Sequence, residues 1–300
     1  MIIYLKGCVD MKKKNVKRII TLVLTFLFIF NSFAFADTSV VVTLGKDLNQ
    51  DQRKQILDIF DVEEDKTTII EINNQEERRY LEGVASEAQL GTRTISSAYV
   101  ELLDDGSGIT VDTYNITWVT KEMYQSALVT AGVKDAKVIA AAPFPVSGTG
   151  ALTGIIKAFE EVTGQELSEE QKKVANEEIV TSGELGEAIG KDKAAKLIKE
   201  VKEEIISKAV KDPEEIKRII IEISGKLDIN LNDEQLQSLQ KLMEKIGKLD
   251  LDTSAIKDQL KNIGEKLDET LRNNEEVKSL LQRILDAIVG FFKSIFGGKN

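Results

Sequence analysis

Residues 95–103 read Ile-Ser-Ser-Ala-Tyr-Val-Glu-Leu-Leu, residues 104–108 read Asp-Asp-Gly-Ser-Gly, and residues 109–117 read Ile-Thr-Val-Asp-Thr-Tyr-Asn-Ile-Thr. The two outer runs are rich in β-branched and aromatic residues and predict strands. The polar turn between them holds glycine at Gly106 and Gly108, which supplies positive φ angles, so a hairpin is expected. Outward toward the N-terminus, 39–44 and 67–72 have the same strand composition. Between them 49–60 places Ile56, Leu57 and Phe60 on one helical face, and 75–83 carries Tyr80 and Leu81. Toward the C-terminus, a helix is expected over 121–131, with Met123, Tyr124, Ala127 and Leu128, and a strand over 137–142. The order β-α-β-α-β-β-α-β mixes helix-separated strands, which favour parallel crossovers, with one antiparallel turn, and so predicts a mixed sheet packed by helices.

Beyond Pro143 and Pro145 the strand pattern stops, and 3.6-residue spacing predicts helices over 155–163, 169–181, 191–210, 213–224, 233–247, 254–271 and 277–296. Leu236, Leu239, Leu242, Met243 and Ile246 form one apolar stripe; Ile256, Leu260, Ile263, Leu267 and Leu271 form another. Such stripes must bury against one another, which argues for a bundle or stacked array. Asp212, Pro213 and Glu215 together make a helix start. One further start recurs three times, as Leu48-Asn49-Asp51-Gln52, Leu167-Ser168-Glu170-Gln171 and Leu231-Asn232-Glu234-Gln235, and capping physics alone accounts for it. The fold class is therefore α+β: a mixed sheet domain over 37–146 followed by an all-helical region over 147–300, with room for a further division near 225–232.

The first 36 residues stand apart. Lys12, Lys13, Lys14, Lys17 and Arg18 precede an apolar run from Ile19 to Phe30, and Ala34-Phe35-Ala36 follows with the small residues that signal peptidase reads. Cleavage is expected after Ala36, with Met11 as the natural start of the leader. The run is shorter than the roughly 20 residues a spanning helix needs. What remains is 264 residues with 34 basic and 49 acidic side chains, a net charge of −15 against −10 for the whole chain. That balance is unfavourable for nucleic acid, where Lys and Arg must displace counterions. The chain has no histidine, and its one cysteine, Cys8, lies in the leader. Ser/His and Cys/His catalysis, imidazole or thiolate metal sites and disulfides are thereby excluded from the mature chain. No cofactor is expected.

Several motifs have to be weighed. The strand at 137–142 followed by Gly148, Gly150 and Gly154 resembles a dinucleotide fingerprint, but two prolines intervene and no second strand with a ribose-binding acid follows. What survives is a candidate anion or ligand loop, Ser147, Gly148, Thr149 and Gly150, presenting amides at the start of the next helix. Ser238 with Lys241 and Ser254 with Lys257 match SxxK at about the frequency expected by chance and lack their partner motifs. Asp228-Asn230-Asn232 and Asp250-Asp252-Ser254 imitate the start of a calcium loop, but Asp233 and Ala255 stand where glycine is needed, and Leu239 and Lys261 where a bidentate Glu is needed. A carboxylate pair across a cleft is the one catalytic arrangement the residue types leave open. Trp118, Tyr99, Tyr114 and Tyr124 cluster in the sheet half, where packing explains them. The C-terminal run holds a candidate membrane or partner face, Ile288, Phe291, Phe292, Ile295 and Phe296.

Longer blocks carry a family likeness. Val42-Thr43-Leu44-Gly45-Lys46-Asp47-Leu48 leading to Gln52, Glu76-Glu77-Arg78 with Tyr80-Leu81-Glu82-Gly83, and Gly91-Thr92-Arg93-Thr94-Ile95-Ser96-Ser97-Ala98-Tyr99 resemble the YpuA-like family of exported proteins of Gram-positive bacteria. Asn115-Ile116-Thr117, Met123-Tyr124, the run 127–133, Ala136-Lys137-Val138 and Val146-Ser147-Gly148-Thr149 extend the resemblance from about residue 38 to the end. Gly150 stands where members of that family often carry Ala. The family is a domain of unknown function, so the resemblance implies export and a shared architecture and supplies no catalytic residues. The sequence reading is thus an exported envelope protein acting by binding, with an unidentified envelope ligand or protein partner and no nucleic acid. Its alternatives are a carboxylate-dependent hydrolase of wall glycan and a protein held at a membrane surface by its last helix.

Overall fold

The computed structural model describes residues 39–251 together with 256, 259–261 and 263. The described residues, all from Ser39 onward, belong to one compact unit. Its sheet has five strands: β1 (Val40–Gly45), β2 (Thr68–Ile72), β3 (Ser97–Leu102), β4 (Ile109–Ile116) and β5 (Ala136–Val146), in the order β2-β1-β3-β5-β4. β1 and β2 are parallel, joined through α1 (Gln50–Phe60); β4 and β5 are parallel, joined through α4 (Lys121–Ala131). β3 is antiparallel to both of its neighbours, β1 and β5. The mixed sheet with helices packed on it is as the sequence predicts.

The predicted hairpin is corrected. β3 and β4 do not pair, because β5 lies between them. Gly106 and Gly108 do adopt positive φ, +86° and +70°. However, five residues can span up to about 17 Å, whereas stepping over one strand requires only about 10 Å. Asp135 fills the mouth of the turn: its carbonyl accepts from Leu103 N (2.7 Å) and its Oδ1 from Gly108 N (2.7 Å). β5 also continues past the prolines at which the strand signal ends. β3 leaves it at the Ser97–Ala141 pair, so Pro143 and Pro145 lie where β5 has one neighbour and a missing N–H is tolerated.

The remaining helices are α2 (Asn74–Leu81), α3 (Glu87–Leu90), α5 (Ala151–Thr163), α6 (Glu169–Ile189), α7 (Lys191–Ser207), α8 (Pro213–Lys226) and α9 (Asp233–Ile246). Two of the three recurrent starts form complete capping boxes, Asn49 with Gln52 and Asn232 with Gln235; Ser168 makes no side-chain cap. The predicted helix over 169–181 runs on to Ile189, through Gly183. At that glycine the Trp118 ring occupies the space where a side chain would be. The predicted helix over 277–296 lies outside the described residues; within the one over 254–271, residues 256, 259–261 and 263 are helical.

Val42, Leu44, Tyr99 and Ala141 pack one sheet face against Ile56, Leu57 and Phe60 of α1. The other face, with Val41, Ala98, Val100, Val138 and Ala140, opens a single apolar cluster that continues through α4 and α5 into the helices α6 to α9. α4 lies between the sheet and the helical layer, which is why ten of its eleven residues are buried. Each fully buried Leu or Ile in such a cluster contributes about 1.5–3 kcal/mol. α2 sits at one border of this assembly, against α5 and α6.

Candidate functional site

Asn73 begins the site. Its Oδ1 accepts from Glu76 N (3.1 Å) and its own N–H donates to Glu76 Oε2 (2.9 Å), a capping box that fixes both the first turn of α2 and the Glu76 side chain. Helical spacing then brings Arg79 and Tyr80 to the same side. Thr153, Ile156, Lys157 and Glu160 share one stripe of α5 by the same i, i+3, i+4, i+7 rule. With Glu169 and Lys172 from the first turn of α6 they line a cavity of about 220 Å³. Two other hollows, of about 230 Å³ beside Val129, Leu167 and Gln259 and about 200 Å³ between α6 and α9, carry two charged side chains each. The α2/α5/α6 cleft carries six, three of each sign.

Those six charges are engaged with one another. Lys157 Nζ lies 2.5 Å from Glu76 Oε1 and also donates to Glu71 O (3.1 Å). Lys172, 8% exposed, bridges Glu160 (2.9 Å) and Glu169 (2.6 Å), and Arg79 closes on Glu169 (2.9 Å). Tyr80 Oη donates to Glu169 at 3.2 Å. Burial alone would raise the Glu76 carboxyl, but the Lys157 ammonium and the Asn73 amide hold it below the usual carboxylate range. The hydrogen bond from Lys172 does the same to Glu169. Burial alone would lower the Lys172 ammonium; Glu169 and Glu160 together carry it above its ordinary value. On the cleft wall Thr153 is 5% exposed and its Oγ1 has no hydrogen-bond partner.

α2 also carries a carboxyl of the opposite character. Glu77 is 5% exposed, and burial pushes it up to about 7, with the nearby Asp47 and Glu76 charges adding to the rise. The Thr94 hydroxyl and the Asn74 carboxamide face it and favour its charge, yet neither Thr94 Oγ1 nor Asn74 Nδ2 makes a hydrogen bond of good geometry. Its oxygens rest on the backbone of Gly150, where a Cβ would stand 2.4 Å from Glu77 Oε1. A Cβ on Gly148, at φ +92°, would meet Ile116 Cγ2 at 2.4 Å and Tyr124 Oη at 2.5 Å. Tyr124 is wholly buried and donates to Gly148 O.

The candidate loop at Ser147, Gly148, Thr149 and Gly150 thus lies on Tyr124 and Glu77, with Gly148 and Thr149 buried and Gly150 capping α5 without a side-chain bond. Ser147 Oγ and Thr149 Oγ1 are 3.3 Å apart. The structure packs this loop against Glu77 and Tyr124, and it does not line the charged cleft. Ala36, Ile288, Phe291, Phe292, Ile295 and Phe296 lie outside the described residues. None of the cleft residues is singled out by a sequence motif. The signal available was the Asn73-x-x-Glu76 capping box beside the i, i+3, i+4, i+7 series of α5. A second buried cluster, Glu178 with Lys202, Ser126 and Thr130, has no exposure at either charge. Among the described residues no group of three or more His, Cys, Asp or Glu is arranged to hold a metal, and no helix is long and apolar enough to cross a membrane.

Comparison with known proteins adds a family. The chain is 41% identical over 257 residues to the uncharacterized protein YpuA of Bacillus subtilis (strain 168), covering 85% of this chain and 88% of that one. No solved structure matches. The model of the family described as protein of unknown function DUF1002 matches residues 44–263, which takes in the sheet from the end of β1, the cleft and the helices through α9. The chain therefore belongs to the DUF1002 family.

Proposed function

We propose that this is an exported envelope protein that binds a small ligand in the α2/α5/α6 cleft and does not turn it over. The observation that carries the reading is the state of the cleft carboxylates. A hydrolase of glycosidic bonds needs one carboxyl kept protonated near neutrality to hand a proton to the leaving group. Glu76 and Glu169 are held in the opposite state by Lys157 and Lys172. Among the described residues the one carboxyl raised toward neutrality, Glu77, is buried and does not line the cleft. Export is supported by the basic, apolar and small-residue order of the first 36 residues.

The test is expression of the whole chain in a Gram-positive host, followed by fractionation and incubation with purified wall polymer. The expected result is a product beginning at Asp37 outside the cytoplasmic membrane, retained by wall polymer without releasing soluble fragments. Release of fragments that stops on Glu76→Gln or Glu169→Gln would replace binding by hydrolysis, and an unprocessed cytoplasmic product would remove the envelope from the reading.

A further inference from the structure

We infer that the α2/α5/α6 cleft takes one neutral, polyhydroxylated ring, a single saccharide unit, held by hydrogen bonds to ion pairs that stay intact. This inference rests on the binding reading above and names its ligand class. The first ground is charge. Glu76, Glu160 and Glu169 face Arg79, Lys157 and Lys172, and every one of them is already within 2.5–2.9 Å of an opposite charge. The six charges sum to zero and each faces an opposite one, so a charged ligand meets no net attraction there and an oppositely paired neighbour that repels it. At Lys172, nine-tenths buried, a competing charge would have to take one of the two carboxylates that hold a desolvated ammonium, which is a costly contact to give up.

A hydroxylated ring meets no such obstacle. A carboxylate accepts at about four positions, an ammonium donates at three and a guanidinium at five, so each pair keeps unused donors and acceptors after satisfying its partner. Along the cleft these alternate. A hydroxyl both donates and accepts, so neighbouring hydroxyls on one ring can bond to both members of a pair and strengthen the pair rather than compete with it. The half-buried Tyr80 ring, with the edge of Ile156 at the cleft floor, supplies apolar surface for the C–H face of such a ring. The volume sets the size: about 220 Å³ is below the roughly 300–1,000 Å³ of clefts that enclose drug-sized ligands, so the cleft holds one ring and the rest of a longer chain lies outside it.

Thr153 is the second, independent ground. Its Oγ1 is buried at the cleft wall without a partner. Threonine in a helix divides between two staggered χ1 rotamers, so the hydroxyl reaches a ligand by a jump of about 120° between them. An orphaned buried hydroxyl disfavours the empty cleft and is relieved by a ligand that offers a hydrogen bond.

The experiment is isothermal titration with amide-shift mapping on the chain from Asp37 onward, which contains every described residue. The probes are N-acetylglucosamine and glucose as neutral rings, glucosamine as cation, glucuronate as anion and diglycine as zwitterion. The inference expects the neutral rings to bind at least tenfold more tightly than the charged probes, with shifts concentrated at residues 76–80, 153–160 and 169–172. Thr153→Val loses no hydrogen bond in the folded chain, so it should fold as the parent does and bind the rings at least fivefold more weakly; Glu160→Gln should weaken them further. Preference for diglycine or a charged sugar at the same residues overturns the ligand class and leaves the binding reading standing. Neutral rings bound elsewhere overturn the site. No binding by any probe overturns this inference alone if wall polymer still retains the chain, and both readings if it does not.

Discussion

Glu77 and Gly150 are packed so closely that a methyl group on the glycine would stand 2.4 Å from the glutamate's Oε1 and 2.5 Å from its Cδ. The glutamate is anchored on α2 and the glycine caps α5, so this contact sets how closely the two helices that wall the cleft approach one another. Gly150→Ala should cost about 1–3 kcal/mol, the usual range for overpacking a filled interior. Equilibrium urea unfolding reads this directly. If the collision with the carboxyl is the cause, Gly150→Ala in a Glu77→Ala background should cost at least 1 kcal/mol less than in the parent, the signature of two side chains in direct contact. Equal costs in both backgrounds would place the strain elsewhere.

The same carboxyl predicts how stability depends on pH. Glu77 titrates at about 7 when folded, against an ordinary 4.5. Between those values the folded chain holds a proton that the unfolded chain has released, so stability falls as pH rises from about 4.5 to 7 and is flat above. Two and a half units at about 1.36 kcal/mol each make the loss on the order of 3 kcal/mol. Glu76 and Glu169, which are depressed, act in a separate window, their contribution being lost only as pH falls below about 4.5. Glu77→Gln should therefore flatten the profile between pH 5 and 7 and leave the acid limb unchanged. A parent profile that is already flat over that interval would contradict this account of Glu77.

Much of the fold was legible because its signals are local. The stretch 121–131 reads as a helix and is one to the residue, since Thr120 caps it and Gly132, at φ +91°, ends it. The pairing of strands was not legible. Gly106 and Gly108 announce a turn, but which strand lies beside β4 is decided by Asp135, which anchors β5 in the gap from 27 residues further on. The apolar spacing ends the helix at 181, whereas it runs on through Gly183, where a tryptophan 65 residues away packs on the bare backbone. The cleft was less legible still. Glu76, Arg79, Lys157 and Lys172 look like the solvated charges of any surface helix, and only the approach of α2 to α5 and α6 turns them into one wall.

Lys202 and Glu178 join α7 to α6 with no exposure of either charge, at 2.6 Å. Burial pushes the lysine below its ordinary range while Glu178 pulls it back, and Ser126 and Thr130 from α4 donate to the carboxylate at 2.5 Å. Lys202→Met alone leaves that carboxylate uncompensated in the interior and should cost about 3–5 kcal/mol. Adding Glu178→Leu removes the stranded charge and should recover part of the loss. Recovery should be incomplete, because the two hydroxyls of α4 then lose their acceptor. Urea unfolding of the two variants and the parent separates the terms, and a double variant no more stable than Lys202→Met would show that the hydroxyl network, not the charge pair, holds these helices together.

Trp118 offers the simplest optical test, since it is the chain's single tryptophan and lies against the backbone of α6 at Gly183. A Cβ at that glycine would fall 2.1 Å from Trp118 Cη2, inside the ring's own volume. Helix propensity alone favours alanine over glycine by about 1 kcal/mol, so an exposed site would be stabilised by the change. Here the ring must move. It is also held by its Nε1–H, which donates to Glu187 Oε1 at 2.6 Å on the next turn of α6. Gly183→Ala should therefore shift tryptophan emission to longer wavelength and lower stability by about 1–3 kcal/mol, the cost of overpacking. Glu187→Gln should keep the ring in place and leave the emission maximum close to the parent's, because the amide oxygen still accepts. A Gly183→Ala variant with unchanged emission and raised stability would mean that Trp118 does not pack on α6.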